Sequence, residues 1–207
     1  KPGEAIRILR PLHQKVPDDL ALLQVFGRAL VTAGEYERAL DVLARGCRAH
    51  PEDGKLELFA GLALKGKGSL AEARVRLERA RELNPSFPPT HTALGELWVA
   101  LGRFPEAEAS LARALECGDG ELSTLLLLGQ AQLSQSAWTR AVATFERACA
   151  QAPDSGLAWT HLAEAQVQAG DAPAAERSLA EAAKGNPGSK RIEAVRRLLA
   201  AQAGAAR

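Results

Sequence analysis

The chain has 207 residues, enough for one sizeable core or for a row of small repeated units, and it is 46% hydrophobic and 25% charged, which is typical of a folded protein. Its 26 Lys and Arg residues nearly balance its 25 Asp and Glu residues, so the formal net charge of +1 gives no general attraction to nucleic acid or to an anionic membrane. No apolar run approaches the ~20 residues needed to cross a bilayer, and we therefore expect neither nucleic-acid binding nor direct membrane insertion.

The composition favours helices over strands. The chain is rich in Ala, and the alternation of Val, Ile and Thr expected of strands is missing. Its cysteines, Cys47, Cys117 and Cys149, are odd in number and widely spaced, which makes a poor disulfide framework and favours a reducing compartment. We therefore expect an all-α protein in the cytoplasm. Because residue 1 is not Met, the chain also looks like an excised fragment, and a periplasmic location stays open.

In chain order, residues 1–19 predict a single helix. Its Ala5 and Leu9 recur 34 residues later as Ala39 and Leu43, in the second helix of the first full repeat. This segment therefore predicts helix B of a truncated repeat, with at least one further helix upstream in the natural protein.

The rest of the chain repeats with a period of 34 residues and no insertion. The period predicts five units at 20–53, 54–87, 88–121, 122–155 and 156–189. Residues 190–207 follow as a capping helix and tail, because its Ile, Val and Leu residues form a single apolar edge. The columns that define the period are Gly27, Gly61, Gly95, Gly129 and Ala163; Gly34, Gly68, Gly102, Ser136 and Gly170; Ala39, Ala73, Ala107, Ala141 and Ala175; and Leu43, Leu77, Leu111, Phe145 and Leu179.

This pattern resembles the tetratricopeptide repeat, whose 34-residue unit reads W-x2-L-G-x2-Y, then A-x3-F, then A and P. The first block stands here as LQVFGRAL (23–30) and as HTALGELW (91–98). The resemblance implies antiparallel pairs of helices, A and B, stacked into a right-handed α-α superhelix. Such a solenoid has a concave groove lined by its A helices, and the groove usually takes an extended peptide or a helix of a partner protein.

The glycine columns have separate physical reasons. A glycine inside helix A costs about 1 kcal/mol relative to Ala, which makes sense only where a neighbouring helix approaches closely. The second glycine, for example Gly34, follows helix A and predicts a left-handed residue that ends it. Ser136 is the exception in that column.

Chemical sites are harder to find. The four histidines, His13, His50, His91 and His161, fall in different repeats, so a solenoid is expected to hold them apart. The chain has no HExxH, CxxC, phosphate-loop or G-x-S-x-G motif. We expect no catalytic residues, no metal site and no cofactor.

The stretch RGCRAHP (45–51) looks most like chemistry, because Cys47 and His50 could form a metal site or a nucleophile–base pair. In the repeat frame, however, neither position keeps its residue type in the other units. What recurs is the end of helix B, so this stretch is interpreted as a helix C-terminus.

The resemblance places a partner-binding groove on one face of the A helices. Its columns are at positions 5, 9 and 12 of each unit, with Lys55 from position 2. The predicted groove residues are Gln24, Arg28, Val31, Lys55, Leu58, Leu62, Lys65, Thr92, Glu96, Val99, Leu126, Gln130, Leu133, Thr160, Glu164 and Val167.

Two patterns within this set suggest a ligand. Six of its apolar side chains predict an exposed strip that is not needed for packing inside the units, namely Leu58, Leu62, Val99, Leu126, Leu133 and Val167. Its cations, Arg28, Lys55 and Lys65, precede its anions, Glu96 and Glu164, along the chain. A mixed peptide or helix with apolar anchors and acidic residues toward the first two repeats is therefore expected. The Asn residues of the chaperone-binding carboxylate clamp are missing from these columns.

The leading interpretation is a non-enzymatic adaptor or scaffold that binds a protein partner. The alternative is a structural assembly subunit, such as a pilotin-like helper of a bacterial envelope machine, which acts through docking or through self-association into a homo-oligomer.

Overall fold

The computed structural model describes residues 2–185 and 188–205. Within these ranges the chain forms helices and no strand, which confirms the all-α prediction. None of the described helices is both long and apolar enough to span a bilayer. The helices are α1 Pro2–Lys15, α2 Leu20–Thr32, α3 Tyr36–Ala49, α4 Gly54–Lys67, α5 Leu70–Leu83, α6 Pro88–Ala100, α7 Phe104–Glu116, α8 Leu122–Ser134, α9 Trp138–Gln151, α10 Gly156–Gln168, α11 Ala172–Gly185 and α12 Lys190–Ala205.

The described residues divide into two compact units. The first contains residues 2–102 with 116–118, and the second contains 103–115 with 119–205. In the first unit α2 packs on α3 and α4 on α5; in the second α8 packs on α9 and α10 on α11. Even-numbered helices from α2 to α10 are therefore A helices, and odd-numbered ones are B helices.

The glycine inside helix A lies against the B helix of the same pair. A Cβ added to Gly27 would lie 2.4 Å from Leu43 Cδ2, and one added to Gly129 would lie 2.5 Å from the ring of Phe145. No real Cβ tolerates such distances, so the glycine column exists to let a large side chain of helix B sit against the backbone of helix A.

The residues that end the A helices have the predicted left-handed backbone, and Ser136 has it too. Gly34, Gly68, Gly102 and Gly170 all have positive φ angles, between 69° and 85°. Ser136 also has a positive φ, of 56°, although it carries a Cβ. The backbone geometry is therefore kept in the fourth repeat, and the serine accepts the strain that glycine avoids elsewhere.

Helix α12 covers the end of the second unit. Ile192 and Val195 are buried, and they form one apolar cluster with Val167 of α10 and Leu179 of α11. The predicted capping edge is confirmed, although residues 206 and 207 of the predicted tail lie outside the described residues.

Candidate functional site

The predicted groove columns in the first unit lie on α2, α4 and α6. Arg28 and Lys55 are exposed, whereas Val31, Leu62 and Val99 are half-buried. Leu58 is different, because only 1% of its surface is accessible. The prediction of an exposed apolar strip is therefore wrong at Leu58, which belongs to the packed interior of the solenoid.

In the second unit the exposed-strip prediction is wrong at Val167, and the groove residue Thr160 is buried as well. Val167 is fully buried, because α12 packs over this end of α10 and places Ile192 and Val195 in the same cluster. Thr160 is also buried, and its hydroxyl donates to the Gly156 carbonyl at 2.6 Å. The half-buried groove residues Leu126 and Leu133 pack partly on the core of this unit.

The charged groove residues of the first unit are not separated as the sequence suggests. Lys65 of α4 donates to the Glu96 carboxylate of α6 and forms an ion pair with it. This pair joins a predicted cationic position to a predicted anionic one, so the expected charge separation is wrong here. Lys55 instead lies over the ring of Phe87, with its Nζ 5.7 Å from the ring centroid.

Two polar groove residues of the first unit differ in their partners. Gln24 Nε2 donates to the Asp53 carboxylate at 2.8 Å, which ties its amide to the start of α4. The Arg28 guanidinium forms no hydrogen bond or ion pair with any residue that the structure describes. Half-buried Thr92 donates to the Pro88 carbonyl at 3.3 Å. Arg28 is therefore the groove cation of this unit that stays available.

In the second unit the groove residues join a buried histidine. His161 is only 1% exposed and stacks on Phe145, with 5.1 Å between ring centroids and 10° between planes. Arg191 Nη2 lies 3.0 Å from His161 Nδ1, and the Gln130 amide lies 3.1 Å from Nε2. Since Arg has only donors, Nδ1 accepts and Nε2 carries the proton, with the Gln130 amide turned so that its oxygen accepts it.

The same network includes Glu164, whose carboxylate lies 3.5 Å from Arg191 Nη2. Burial, and then the nearby Arg191 guanidinium, lower the pKa of His161 to about 4. The imidazole is therefore neutral near pH 7. Sequence reasoning missed this network because its members come from three different helices.

Two histidines from separate repeats of the first unit interact with the same residue, Asp18. His50 Nε2 lies 2.8 Å from the Asp18 carbonyl, and Arg45 Nε donates to the Asp18 carboxylate at 2.7 Å. His13 also interacts electrostatically with Asp18 and Arg45, and its pKa is lowered chiefly by burial. The loop after α1 therefore packs against the end of α3.

This cluster lacks the groups of a metal or nucleophile site. No group of three or more His, Cys, Asp or Glu side chains within the described ranges could hold a metal ion. Burial, and then the neighbouring Glu57 carboxylate, raise the pKa of Cys47 to about 12. Burial also raises the pKa of Cys149 to about 11. Both thiols stay protonated at neutral pH and are poor nucleophiles.

Comparison with known proteins agrees with this geometry. The sequence pattern of the tetratricopeptide repeat matches residues 1–57, 64–129 and 132–201. The tetratricopeptide repeat-containing protein trd-1 of Caenorhabditis elegans is 26% identical over 153 residues, which are 74% of this chain and 19% of that protein. The chain thus spans about a fifth of that relative's length.

Solved structures share the fold at low sequence identity. YrrB, a TPR protein with an unusual peptide-binding site, gives a TM-score of 0.78 at 18% identity, covering 91% of this chain and 97% of its own. A chain of the APC/C hetero-tetramer Cut9–Hcn1 gives a TM-score of 0.76 at 16% identity, covering 94% of this chain and 39% of its own.

Proposed function

Since the chain belongs to the tetratricopeptide repeat family, we propose that it is a non-enzymatic interaction module that binds a protein or peptide partner on the faces of its A helices. Repeat proteins of this kind expose long concave surfaces and use them for binding. The peptide-binding site of YrrB supports a peptide ligand by analogy of fold.

The observation that carries the proposal lies in the first unit. Arg28 is exposed and has no ion-pair partner among the described residues. Leu62 occupies the same column on α4, and half-buried Val31 lies one turn further along α2. A cation beside two partly accessible apolar side chains suits a ligand with an acidic residue and an apolar anchor.

Selection from a random peptide display library on the intact chain tests this proposal. We expect enrichment of peptides that combine Asp or Glu with a large apolar residue. Arg28→Glu should weaken such peptides about tenfold, or about 1.4 kcal/mol, and should flatten the dependence of Kd on salt. Arg48→Glu is the matched control, because this substitution makes the same charge change at an exposed position of helix B.

The outcome that contradicts the proposal is equal weakening by both charge reversals, or none by Arg28→Glu. Enrichment of basic peptides would also contradict it. Lys65 is not used in this test, because its substitution would leave Glu96 unpaired and change two charges at once.

A second candidate is an assembly subunit, and one specific feature favours it. Ile8, Leu12 and Val16, on and just after α1, are 56%, 45% and 51% exposed and follow one another at intervals of four residues. Large apolar side chains at this spacing form a stripe that suits an interface. Light scattering over a range of concentrations should then show an oligomer that Leu12→Glu dissociates, and a monomer at every concentration would contradict this candidate.

A further inference from the structure

In each unit, polar side chains from successive helices join beside an A helix. In the first unit, Glu57 of α4 lies between α3 and α5. Its carboxylate accepts from Arg76 Nη1 at 3.1 and 3.2 Å, and it lies near the Cys47 thiol of α3. An ion pair therefore fills the space over α4.

In the second unit, Glu108 closes the space between α7 and α9. Its carboxylate accepts from Gln132 Nε2 at 3.1 Å and from Gln135 Nε2 at 2.9 Å, both from α8 and the residue after it. It also forms an ion pair with Arg140 of α9. The Gln132 amide is fully used, because its oxygen accepts from the Thr144 hydroxyl at 2.8 Å.

The next space, between α9 and α11, lacks this bridge. The residues 34 positions later are Val142 in place of Glu108 and Ala174 in place of Arg140. Neither side chain can form an ion pair, and Ala174 leaves room that Arg140 occupies in the preceding space. A cavity of about 720 Å³ opens here, over α10, and Trp159, Leu162 and Ala174 supply its apolar lining.

Gln166 lines this cavity and is the equivalent of Gln132. It is only 7% exposed, and its amide oxygen accepts from the Ser178 hydroxyl at 2.7 Å, as Gln132 accepts from Thr144. No group among the described residues accepts from its amide nitrogen, since the position of Glu108 is now Val142. The amide nitrogen keeps some contact with solvent in the cavity, so it can donate to an acceptor that a ligand brings.

We propose that this cavity is a second binding site, which takes an Asp or Glu side chain of a partner protein together with an adjoining apolar residue. The partner's carboxylate replaces the missing Glu108 equivalent and accepts from the Gln166 amide. Exposed Arg177, which has no ion pair among the described residues, adds a cation at the edge. The apolar residue packs on Trp159, whose ring is fixed by its Nε1 donating to the Pro153 carbonyl at 2.7 Å.

Two acidic residues also line the cavity, and they restrict how the ligand enters. Glu181 accepts from Lys184 Nζ at 2.6 Å, which offsets its charge. Glu146 is exposed on α9, where water screens it. The partner's carboxylate is therefore expected to lie toward Gln166 and Arg177, with its apolar neighbour toward Trp159.

Titration by ¹H–¹⁵N NMR of the full chain tests the site directly. The probe is a capped tripeptide of phenylalanine, glutamate and leucine, and its counterpart with glutamine is the matched ligand. We expect the glutamate peptide to shift the indole signal of Trp159 and the side-chain amide signals of Gln166. The glutamine peptide should bind at least tenfold more weakly.

Two variants locate the binding. Val142→Glu with Ala174→Arg rebuilds the Glu108–Arg140 bridge in the open space, and it should abolish the shifts while the circular dichroism spectrum stays helical. Gln166→Glu keeps an acceptor for Ser178 but repels a carboxylate, so it should weaken the glutamate peptide at least tenfold. Gln168→Glu, the matched control at the end of α10, should not.

Each result decides the proposal. Loss of binding in both cavity variants, with retention in Gln168→Glu, supports it. Equal binding of the two peptides overturns the carboxylate assignment, and so does full binding to the Gln166→Glu variant. An absence of shifts at Trp159 and Gln166 overturns the site. None of these readouts depends on the groove residues Arg28, Val31 and Leu62 of the first unit, so failure here leaves the proposed function untouched.

Discussion

Gly129→Ala tests the claim that the helix A glycines exist for close packing. The added Cβ would lie 2.5 Å from two ring carbons of Phe145, where ordinary contacts lie at 3.4–4 Å. The ring would have to move by about an ångström. It has no room to do so, because Phe145 is fully buried and stacks on His161, which is held by Gln130 and Arg191.

The magnitude follows from two opposing effects. Overpacking of this kind costs about 1–3 kcal/mol, and the rigid surroundings place Gly129 in the upper part of that range. Replacing Gly by Ala inside a helix returns about 1 kcal/mol. We therefore expect Gly129→Ala to lower the free energy of unfolding by about 1–2 kcal/mol, measured by urea denaturation with helical circular dichroism as the signal.

The fifth repeat supplies the matched case, because Ala163 stands in this column opposite Leu179 instead of an aromatic ring. Adding Phe145→Leu to Gly129→Ala recreates that pair, and the two changes together should cost less than the sum of their separate costs, by about 1 kcal/mol. If Gly129→Ala is as stable as the natural chain, or if the two costs simply add, then close packing is not the reason for the glycine.

Three further predictions follow from the described contacts. Ser136→Gly should raise the free energy of unfolding by roughly 0.5–1 kcal/mol in the same denaturation assay, because it relieves a left-handed residue that carries a Cβ; a loss of stability would contradict the strain. The pKa of His161, about 4 when folded, lies below its usual value, so the unfolded chain binds more protons between pH 4 and 6.5. Stability should therefore rise with pH across that window by roughly 3 kcal/mol and then level off, and a slope unchanged by His161→Phe would contradict the assignment. Leu58→Ala should cost about 2–5 kcal/mol because the side chain is buried, whereas Leu62→Ala, at a half-buried position, should cost about 1 kcal/mol or less; a cost of Leu58→Ala as small as that of Leu62→Ala would restore the interpretation of both as surface residues.

The fold could be predicted from the sequence because the residues that pack helix A on helix B recur at fixed positions of the 34-residue repeat. Gly27 and Leu43, 16 residues apart, make a contact that recurs as Gly61 with Leu77 and as Gly129 with Phe145, and its geometry is local to the helix pair. A local contact repeated at a constant period leaves little freedom for another architecture. The same periodicity predicted that glycine positions would end helix A, and even Ser136 keeps that backbone.

The candidate site was harder to predict because its contacts do not follow the period. Lys65 reaches Glu96, and Gln130 reaches His161, each across 31 residues. That separation is one helical turn short of the repeat, so a groove residue meets a position in a different column of the next A helix. Reading each column by itself therefore placed Lys65 and Glu96 at opposite ends of a charge gradient when they form a pair.

Variation between repeats carries the remaining information about function. The repeated Gly, Ala and Leu residues pack helix A on helix B and are not accessible to a partner. Residues that bind a partner are therefore expected at positions where the repeats differ. The two neighbouring spaces in the second unit illustrate this. Glu108 and Arg140 close the space over α8, whereas Val142 and Ala174 stand at the equivalent positions of the open space over α10. Both spaces keep a glutamine whose amide oxygen accepts from a hydroxyl, Gln132 from Thr144 and Gln166 from Ser178. Keeping the amide while losing its carboxylate leaves a donor that faces the cavity and can bind an acceptor on a partner, which is why we favour a binding site over a packing defect as the explanation of the open space.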